Sequence, residues 1–358
     1  MINLYFVASP LQALAANEAR ERFGQDSKNI LWVRKAQNRK RQSHHAHLQK
    51  AIEFGTWDEI IYIDQHNFDF KKKYLPLNIC LRLFILRYRE IGKIFIGEYR
   101  SHWMHQAIEI LGAESVYLVD DGIITVHIQE TYLDKGIYSF IQATNSYISF
   151  DDYSSKLKYF RLMLYLIFYR MLGFSGKKKY EVNLFTAYPP RERNNQIVEV
   201  NEYRSIKKLV HNLKVVNSYV YYFGTKYSEN NYFSLAVEID FLNRVKMHYD
   251  KEKKNIIYVA HRDDADEKVA LIRSQLGIKC IKLDLPAELW FVDQGFVPVD
   301  ISAASSTAVI NLSKIYNIES CKFFMLPIEQ ISEDKKLSTI QTYNFYRELD
   351  FDVIDLYK

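Results

Sequence analysis

Three short groups of polar residues in this 358-residue sequence carry side chains that could do chemistry. The first is the acidic pair Asp120-Asp121, followed by Gly122. Two adjacent carboxylates repel each other, which raises the pKa of one of them towards the range of a general base. Asp-Gly is also a common turn pair that needs positive φ at the glycine, so a purely structural loop at Gly122 is the competing interpretation.

The second group is the segment His261-Arg262-Asp263-Asp264. A histidine can donate a hydrogen bond to a phosphate, and the guanidinium of Arg262 adds a fixed positive charge. A loop histidine in a charged surface turn is the alternative. Asp264 and Asp266 also have the D-x-D spacing of metal-dependent transferases. Aspartates favour the start of a helix as well, so we expect no metal here.

The third group is Ser305-Ser306-Thr307, which opens a predicted helix. Backbone amides at a helix N-terminus and small hydroxyl side chains together suit a phosphate, although serine and threonine are also ordinary helix caps. Glu288 precedes this group, and its carboxylate could accept hydrogen bonds from ribose hydroxyls. Gly224-Thr225 ends another predicted strand, so we expect these residues to bind one nucleotide.

Strand-like apolar runs alternate with helical patterns along the chain, which predicts α/β architecture with parallel sheets. The first series contains five predicted strands, at 4–8, 30–33, 59–63, 93–96 and 116–119. The second series contains four, at 218–223, 255–260, 279–283 and 299–301. The polar groups therefore follow strands, at the carboxyl ends where open α/β sheets bind ligands.

A chain of 358 residues is longer than one hydrophobic core usually supports, so its length indicates two domains. We expect two Rossmann-like domains facing a central cleft, the GT-B arrangement. Residues 1–190 would form the acceptor side with the general base, and residues 191–358 would bind the donor. The last helix could pack back on the N-terminal domain.

Composition narrows the classes of partner. The net charge is +5, and basic residues cluster at 34–41, 71–73 and 177–179, as suits anionic lipid, nucleic acid or phosphorylated ligands. No helix-turn-helix, zinc-finger or RNP signature accompanies the charge, so nucleic acid is not expected.

The cysteines lack C-x-x-C spacing and the start lacks a signal-peptide pattern, so we expect a cytoplasmic protein. The histidines at 44–47 have no carboxylate or cysteine partners, so zinc is not expected.

The apolar segment 156–172 leaves two alternatives open. Arg161 and Arg170 interrupt it, and it is too short and too charged to span a bilayer. With the lysines at 177–179 it could lie in the membrane interface as an amphipathic helix, on the cytoplasmic face of the inner membrane. It could equally be a core-facing helix with solvated arginines.

The order of these groups resembles bacterial sialyltransferases and polysialyltransferases, including glycosyltransferase family 52 and its GT-B relatives. Those families carry an acidic-acidic-Gly motif, a His-Pro motif and a Ser-Ser or Ser-Thr pair, which match Asp120-Asp121-Gly122, His261 and Ser305-Ser306. The opening Ser9-Pro10-Leu11-Gln12 is also similar to the starts of these enzymes. Arg262 stands where the family usually has proline, so the resemblance does not specify which nonulosonic acid is used.

The resemblance implies an inverting, metal-independent glycosyltransferase without a cofactor. It would move sialic acid or a related nonulosonic acid from a CMP donor to a glycan acceptor of lipopolysaccharide, O-antigen or capsule. Asp120, paired with Asp121, would be the base, His261 would stabilise the leaving CMP phosphate with Ser305 and Ser306, and Glu288 would hold the ribose. The alternatives are a GT-B transferase that uses a UDP- or GDP-sugar and a non-catalytic membrane- or polyanion-binding protein.

Overall fold

The computed structural model describes the chain except residues 36–41, 65–76, 89, 146–152, 172, 189–195 and 317. The chain divides into two compact units, Met1–Ser205 and Ile206–Lys358. The elements up to the boundary are β1 (Ile2–Val7), α1 (Pro10–Phe23), β2 (Lys28–Lys35), α2 (Gln42–Phe54), β3 (Glu59–Asp64), α3 (Leu77–Arg87), β4 (Ile91–Ile96), α4 (His102–Leu111), β5 (Ser115–Val119), α5 (Ile124–Thr131), α6 (Phe140–Asn145), α7 (Tyr153–Met171), β6 (Asn183–Thr186), β7 (Val198–Val200) and α8 (Arg204–Val210).

The first unit is built on a seven-stranded parallel sheet in the order β3-β2-β1-β4-β5-β6-β7. Leu4 of β1 pairs with Ile30 on one side and Ile94 on the other, and all three side chains are fully buried. Such unbroken apolar runs are typical of parallel strands that are covered on both faces. The strand order reverses between β1 and β4, which makes the carboxyl ends there the expected ligand position.

The second unit repeats this plan. Its elements are β8 (Lys214–Phe223), α9 (Leu235–Lys251), β9 (Ile256–Ala260), α10 (Asp266–Leu276), β10 (Lys279–Lys282), α11 (Ala287–Asp293), β11 (Phe296–Ala303), α12 (Thr307–Ile315), β12 (Ser320–Phe324), α13 (Glu333–Glu348) and β13 (Asp352–Ile354). They form a six-stranded parallel sheet in the order β10-β9-β8-β11-β12-β13. The strand order therefore reverses between β8 and β11.

These two sheets confirm the predicted α/β fold class with two Rossmann-like units. The division between the units lies later in the chain than the predicted boundary after residue 190, because β7 is still the edge strand of the first sheet. The last helix, α13, packs on the second sheet, where Tyr346 stacks on Phe323 with ring centroids 3.9 Å apart. Its predicted contact with the N-terminal domain stays a prediction.

Candidate active site

Asp120 follows the carboxyl end of β5 and is completely buried, with 0% of its surface exposed. Its Oδ1 accepts a hydrogen bond from the Thr186 hydroxyl at 2.5 Å, and its Oδ2 accepts one from the Ala187 amide at 2.7 Å. Both donors stand at the end of the neighbouring strand β6. Burial outweighs these hydrogen bonds and raises the pKa of Asp120 to about 6, which suits a general base near neutral pH.

Asp121 is held by the first helix of the chain. The Ser9 hydroxyl donates to its Oδ1 at 3.0 Å, and the Gln12 side-chain amide donates to its Oδ2 at 2.9 Å. Ser9 is also the N-cap of α1, since its hydroxyl accepts from the Gln12 amide at 3.2 Å, and Pro10 occupies the first helical turn. The opening motif of the chain thus positions the second acid of the pair.

Two glycines permit this arrangement. Gly122 has a φ of 76°, the left-handed conformation expected for its Asp-Gly turn. Gly97, directly after β4, faces Gln12 so closely that a Cβ atom there would lie 2.5 Å from the Gln12 amide group. Glu98 and Arg100 come next, and Arg100 donates to the Glu98 carboxylate at 2.6 Å. Burial and, to a smaller extent, the charge of Glu98 raise the pKa of Asp121, so Glu98 also lies near the acidic pair.

His261 follows the carboxyl end of β9 in the second unit. Its backbone amide donates to Oδ2 of Asp264 at 2.8 Å, and its Nδ1 accepts from the Asp263 amide at 3.1 Å. Because Nδ1 is an acceptor, the neutral ring carries its proton on Nε2. Burial, and secondly the charge of Arg262, lower the pKa of His261 to about 4. At neutral pH the ring is therefore a neutral donor through Nε2.

A buried lysine fixes the loop that carries His261. Lys268 of α10 is 0% exposed, and its Nζ lies 2.8 Å from Asp264, 2.8 Å from Glu238 and 3.2 Å from Glu229. Burial lowers the pKa of Lys268, but the carboxylates of Glu238 and Asp264 more than offset this and raise it. Asp264 also accepts from the Tyr258 hydroxyl at 2.9 Å.

The partners of Asp264 bear on the D-x-D spacing with Asp266. The first aspartate of that motif is turned inwards to Lys268 and Tyr258, and it supports the loop. Within the described parts of the chain, no group of three or more His, Cys, Asp and Glu side chains could hold a metal ion.

Gly224-Thr225, after β8, connects the neighbouring loops. The Thr225 hydroxyl donates to the Ser305 carbonyl at 2.8 Å, and Lys268 donates to the Thr225 carbonyl at 2.9 Å. Gly224 lies so close to Tyr258 that a Cβ atom would collide with the tyrosine hydroxyl. The absence of a side chain at Gly224 thus leaves room for the Tyr258 hydroxyl, which donates its hydrogen bond to Asp264.

Ser305 and Ser306 lie between β11 and α12, and Thr307 begins the helix that the sequence predicted at this group. The Ser305 hydroxyl shares a hydrogen bond of 3.0 Å with the Tyr346 hydroxyl. Ser306 occupies the N-cap position of α12, but its side chain makes no capping hydrogen bond, and Thr307 is the first helical residue. Ordinary capping therefore does not account for the Ser306 hydroxyl, which stays half-buried at the helix N-terminus.

Glu288 lies in the first turn of α11 and is buried. Its Oε1 accepts from the Asn311 side-chain amide of α12 at 2.7 Å. Burial raises the pKa of Glu288, while the Asn311 hydrogen bond and the charge of Arg262 lower it. The Arg262 guanidinium thus acts electrostatically on both Glu288 and His261.

The structure brings the predicted donor residues to one edge of the second sheet. Neighbouring strands β9, β8 and β11 end at His261, Gly224-Thr225 and Ser305-Ser306, so the outer two loops are separated by ~10 Å at the usual strand spacing. The strand order of the second sheet reverses between β8 and β11, so these loops lie at the carboxyl ends where such sheets bind ligands. We call these loops, with Glu288, the donor cluster; the cleft expected between it and the acidic pair stays a prediction.

Two further histidines, both in α4, pack against aromatic side chains of the first unit. His105 is buried, with Nε2 2.5 Å from the Tyr99 carbonyl and Nδ1 against the Tyr180 hydroxyl. The His102 ring packs edge-on against Phe174. Burial lowers the pKa of His102 to about 3 and of His105 to about 4, so both are neutral structural residues.

Comparison with known proteins decides the family. The model of the alpha-2,8-polysialyltransferase family matches residues 3–323. The chain belongs to the alpha-2,8-polysialyltransferase family. This polysialyltransferase-family chain is therefore a glycosyltransferase of the sialyltransferase type, as the order of its motifs indicated. No curated protein matches it with a significant score.

Solved structures place the fold of this polysialyltransferase-family chain in a wider group. UDP-GlcNAc 2-epimerase from Methanocaldococcus jannaschii is 10% identical over 99% of this chain and 89% of that chain, with a TM-score of 0.51. The GT-B domain of a sialyltransferase from Photobacterium damselae is 10% identical over 99% of both chains, with a TM-score of 0.42. The E. coli ADP-heptose lps heptosyltransferase II is 10% identical over 91% of this chain and 85% of that chain, with a TM-score of 0.37. At such identities the epimerase shows a shared fold only.

Sequence reasoning missed three residues that support the site: Thr186, Gln12 and Lys268. Thr186 lies in a strand that was not predicted. Gln12 was noted only as part of the opening motif, and Lys268 sits in a charged helical run that reads as solvated surface. The spacing of Asp264 and Lys268, four residues apart on a helix start, was a signal that could have indicated their ion pair.

Proposed function

We propose that this chain is an inverting, metal-independent sialyltransferase that takes a CMP-activated nonulosonic acid as donor and a glycan as acceptor. It would act in the cytoplasm on lipopolysaccharide, O-antigen or capsule, without a cofactor. The observation that carries the proposal is the donor cluster. There a neutral His261 with its proton on Nε2 shares one sheet edge with the Ser306 hydroxyl and the N-terminus of α12.

The donor phosphate would be bound by hydrogen bonds at this edge. A neutral imidazole N–H, two serine hydroxyls and the first amides of α12 are all suitable donors to a phosphate oxygen. Arg262 adds a positive charge beside His261. Glu288 would accept hydrogen bonds from ribose hydroxyls, and Gly224-Thr225 would form the floor between the two phosphate-binding loops.

Transfer would be a single displacement. Asp120 takes the proton of the acceptor hydroxyl while the acceptor oxygen bonds to the anomeric carbon and the bond from that carbon to the CMP phosphate oxygen breaks. Negative charge then grows on the leaving phosphate, where Nε2–H of His261 and the serine hydroxyls stabilise it. A single displacement inverts the anomeric configuration, and these protein donors perform the charge stabilisation that a metal would otherwise provide.

Nucleotide specificity tests this proposal. Calorimetric titration of the protein with CMP, UDP and GDP should show the tightest binding for CMP. The His261→Ala variant should bind CMP more weakly, whereas Asp120→Ala should bind it as the wild type does. Preferential binding of UDP would overturn the CMP-donor assignment and favour a UDP-sugar enzyme.

A further inference from the structure

Helix α7 exposes a stripe of large apolar side chains. Five residues at alternating spacings of three and four form it, with exposed fractions from 37% to 78%: Leu157, Phe160, Leu164, Ile167 and Met171. At 3.6 residues per turn they fall within about 80° of the helix circumference. We call these five residues the α7 stripe.

A different side of the helix anchors it to the first unit. Leu166 is buried in a small cluster with Phe140 and Phe174, and Met163 packs against that cluster. The α7 stripe is turned away from this contact. One side of the helix is therefore core-facing, as one of the two alternatives for the segment predicts, and another side is apolar and exposed. The membrane-interface alternative stays a prediction.

Helix α7 and the segment that follows it are rich in basic residues. The helix sequence has four basic residues, at 156, 158, 161 and 170, and no acidic one. Lys156 and Arg170 are exposed, as are the three lysines at 177–179 that follow the helix. The Glu109 carboxylate accepts hydrogen bonds from the Ser175 amide at 2.6 Å and the Gly176 amide at 2.9 Å. This contact anchors the segment that leads into the lysine run to α4.

The neighbouring helix adds apolar surface. Leu83 and Leu86 of α3 are 53% and 76% exposed. Arg82 of the same helix lies against Gly173, two residues after α7 ends. Helix α3 therefore contacts the segment directly after α7 and carries exposed leucines of its own.

We propose that the α7 stripe and the lysines at 177–179 bind an anionic membrane surface, with α7 lying in the plane of the interface. An apolar face beside basic residues is the pattern of interfacial helices. No helix among the described residues is long and apolar enough to cross a membrane. A second copy of α7 on the stripe would bring basic residues together without an acidic partner, which disfavours self-association. This surface is independent of the donor proposal.

Vesicle co-sedimentation of the full chain tests the inference. Wild-type protein should bind vesicles of phosphatidylcholine with 30% phosphatidylglycerol, bind pure phosphatidylcholine far less, and be released by high salt. Leu164→Ser with Ile167→Ser should reduce binding by at least about tenfold. Lys178→Glu with Lys179→Glu should reduce it by more than about 25-fold, since each lost basic residue accounts for about fivefold and the two glutamates add repulsion from the anionic surface.

Matched variants control for unfolding and for net charge. Leu337→Ser alters a side chain of α13 with an exposure of 69%, close to the 68% of Ile167, and should bind vesicles as the wild type does. Lys251→Glu with Lys253→Glu makes the same charge change on exposed residues of the second unit and should have a much smaller effect. The fluorescence that Ile167→Trp adds to that of the wild-type tryptophans should be quenched by brominated lipid. This measurement tests the contact between helix and lipid without removing apolar surface.

Two results would overturn the inference. One is a wild-type protein that does not sediment with anionic vesicles. The other is a stripe variant that binds them unchanged, with no quenching of Ile167→Trp. A concentration-dependent dimer that is abolished by Leu164→Ser with Ile167→Ser, in a protein that ignores vesicles, would assign the stripe to a second copy of the chain. CMP binding should be unchanged in every variant, so failure here leaves the donor proposal standing.

Discussion

The Thr186 hydroxyl and the Asp120 carboxylate form a fully buried hydrogen bond of 2.5 Å between residues 66 positions apart in the chain. Thr186 ends β6, and Asp120 follows β5, so sheet pairing brings them together. The hydrogen bond lowers the pKa of Asp120, which burial raises to about 6. The acidity of the proposed base is therefore set by the neighbouring strand.

Thr186→Val should shift the pH dependence of transfer upwards. The valine has a similar shape but removes the donor, so the pKa of Asp120 rises above 6 and the carboxylate is protonated over a wider pH range. The acid limb of the pH profile of kcat/KM should lie near pH 6 in the wild type and higher in the variant, with activity recovering at alkaline pH. Thr186→Ser keeps the hydroxyl and should keep the wild-type profile.

The acidic pair should divide its roles. Asp120→Asn removes the base and should lower kcat by about 10²- to 10⁴-fold while CMP binding is retained. Asp121→Asn keeps one acceptor oxygen for Ser9 or Gln12 and should cause a smaller loss together with a lower Tm. Steady-state kinetics and thermal unfolding of both variants measure this difference. The opposite order, with the severe loss in Asp121→Asn, would make Asp121 the base.

His261 should act as a hydrogen-bond donor through Nε2. His261→Ala removes the donor and should lower kcat by about 10²- to 10³-fold. His261→Gln offers an amide N–H in a similar position and should retain more activity than the alanine variant. Because the pKa of His261 is about 4, no loss of activity should arise from its deprotonation between pH 6 and 8. Equal activity of the alanine and wild-type enzymes would exclude this role; His211→Gln, on an exposed histidine, is the control.

Lys268 should matter for stability far more than an exposed lysine. Lys268→Met leaves the carboxylates of Asp264 and Glu238 buried without their cation, so the free energy of unfolding should fall by about 3–5 kcal/mol. Lys246→Met breaks the exposed pair with Asp250 and should change it by about 0.5 kcal/mol or less. Urea unfolding monitored by circular dichroism measures both values, and similar losses in the two variants would contradict the buried network.

The sequence predicted the strands that are long and apolar. The strands that end at Asp120, Gly224 and His261 were all found, because a buried parallel strand is a continuous apolar run bounded by polar residues. The order of the motifs also indicated the correct family. These features are local, so a single sequence contains them.

The strands and supporting residues that were not predicted from the sequence depend on tertiary contacts. The strands that were not predicted are β6, β7, β12 and β13, with four, three, five and three residues. Segments this short give only a weak periodic signal. Thr186 is recognisable as a partner of Asp120 only once β5 and β6 are paired. Lys268 has the composition of a surface residue, and only the folded second unit surrounds it with three carboxylates.

Transfer from a panel of CMP-sugars is the most direct test of the central claim. Wild-type protein, Asp120→Asn and a no-enzyme control would be incubated with a glycan acceptor and one donor at a time, with and without EDTA, and the released nucleotide would be measured. The donors are CMP-sialic acid, CMP-Kdo, CMP-pseudaminate and CMP-legionaminate, with a UDP-sugar and a GDP-sugar for comparison. We predict acceptor-dependent CMP release from at least one donor by the wild type, unchanged by EDTA and lost in Asp120→Asn. Release from UDP- or GDP-sugars instead, abolition by EDTA, or full activity of Asp120→Asn would contradict the account.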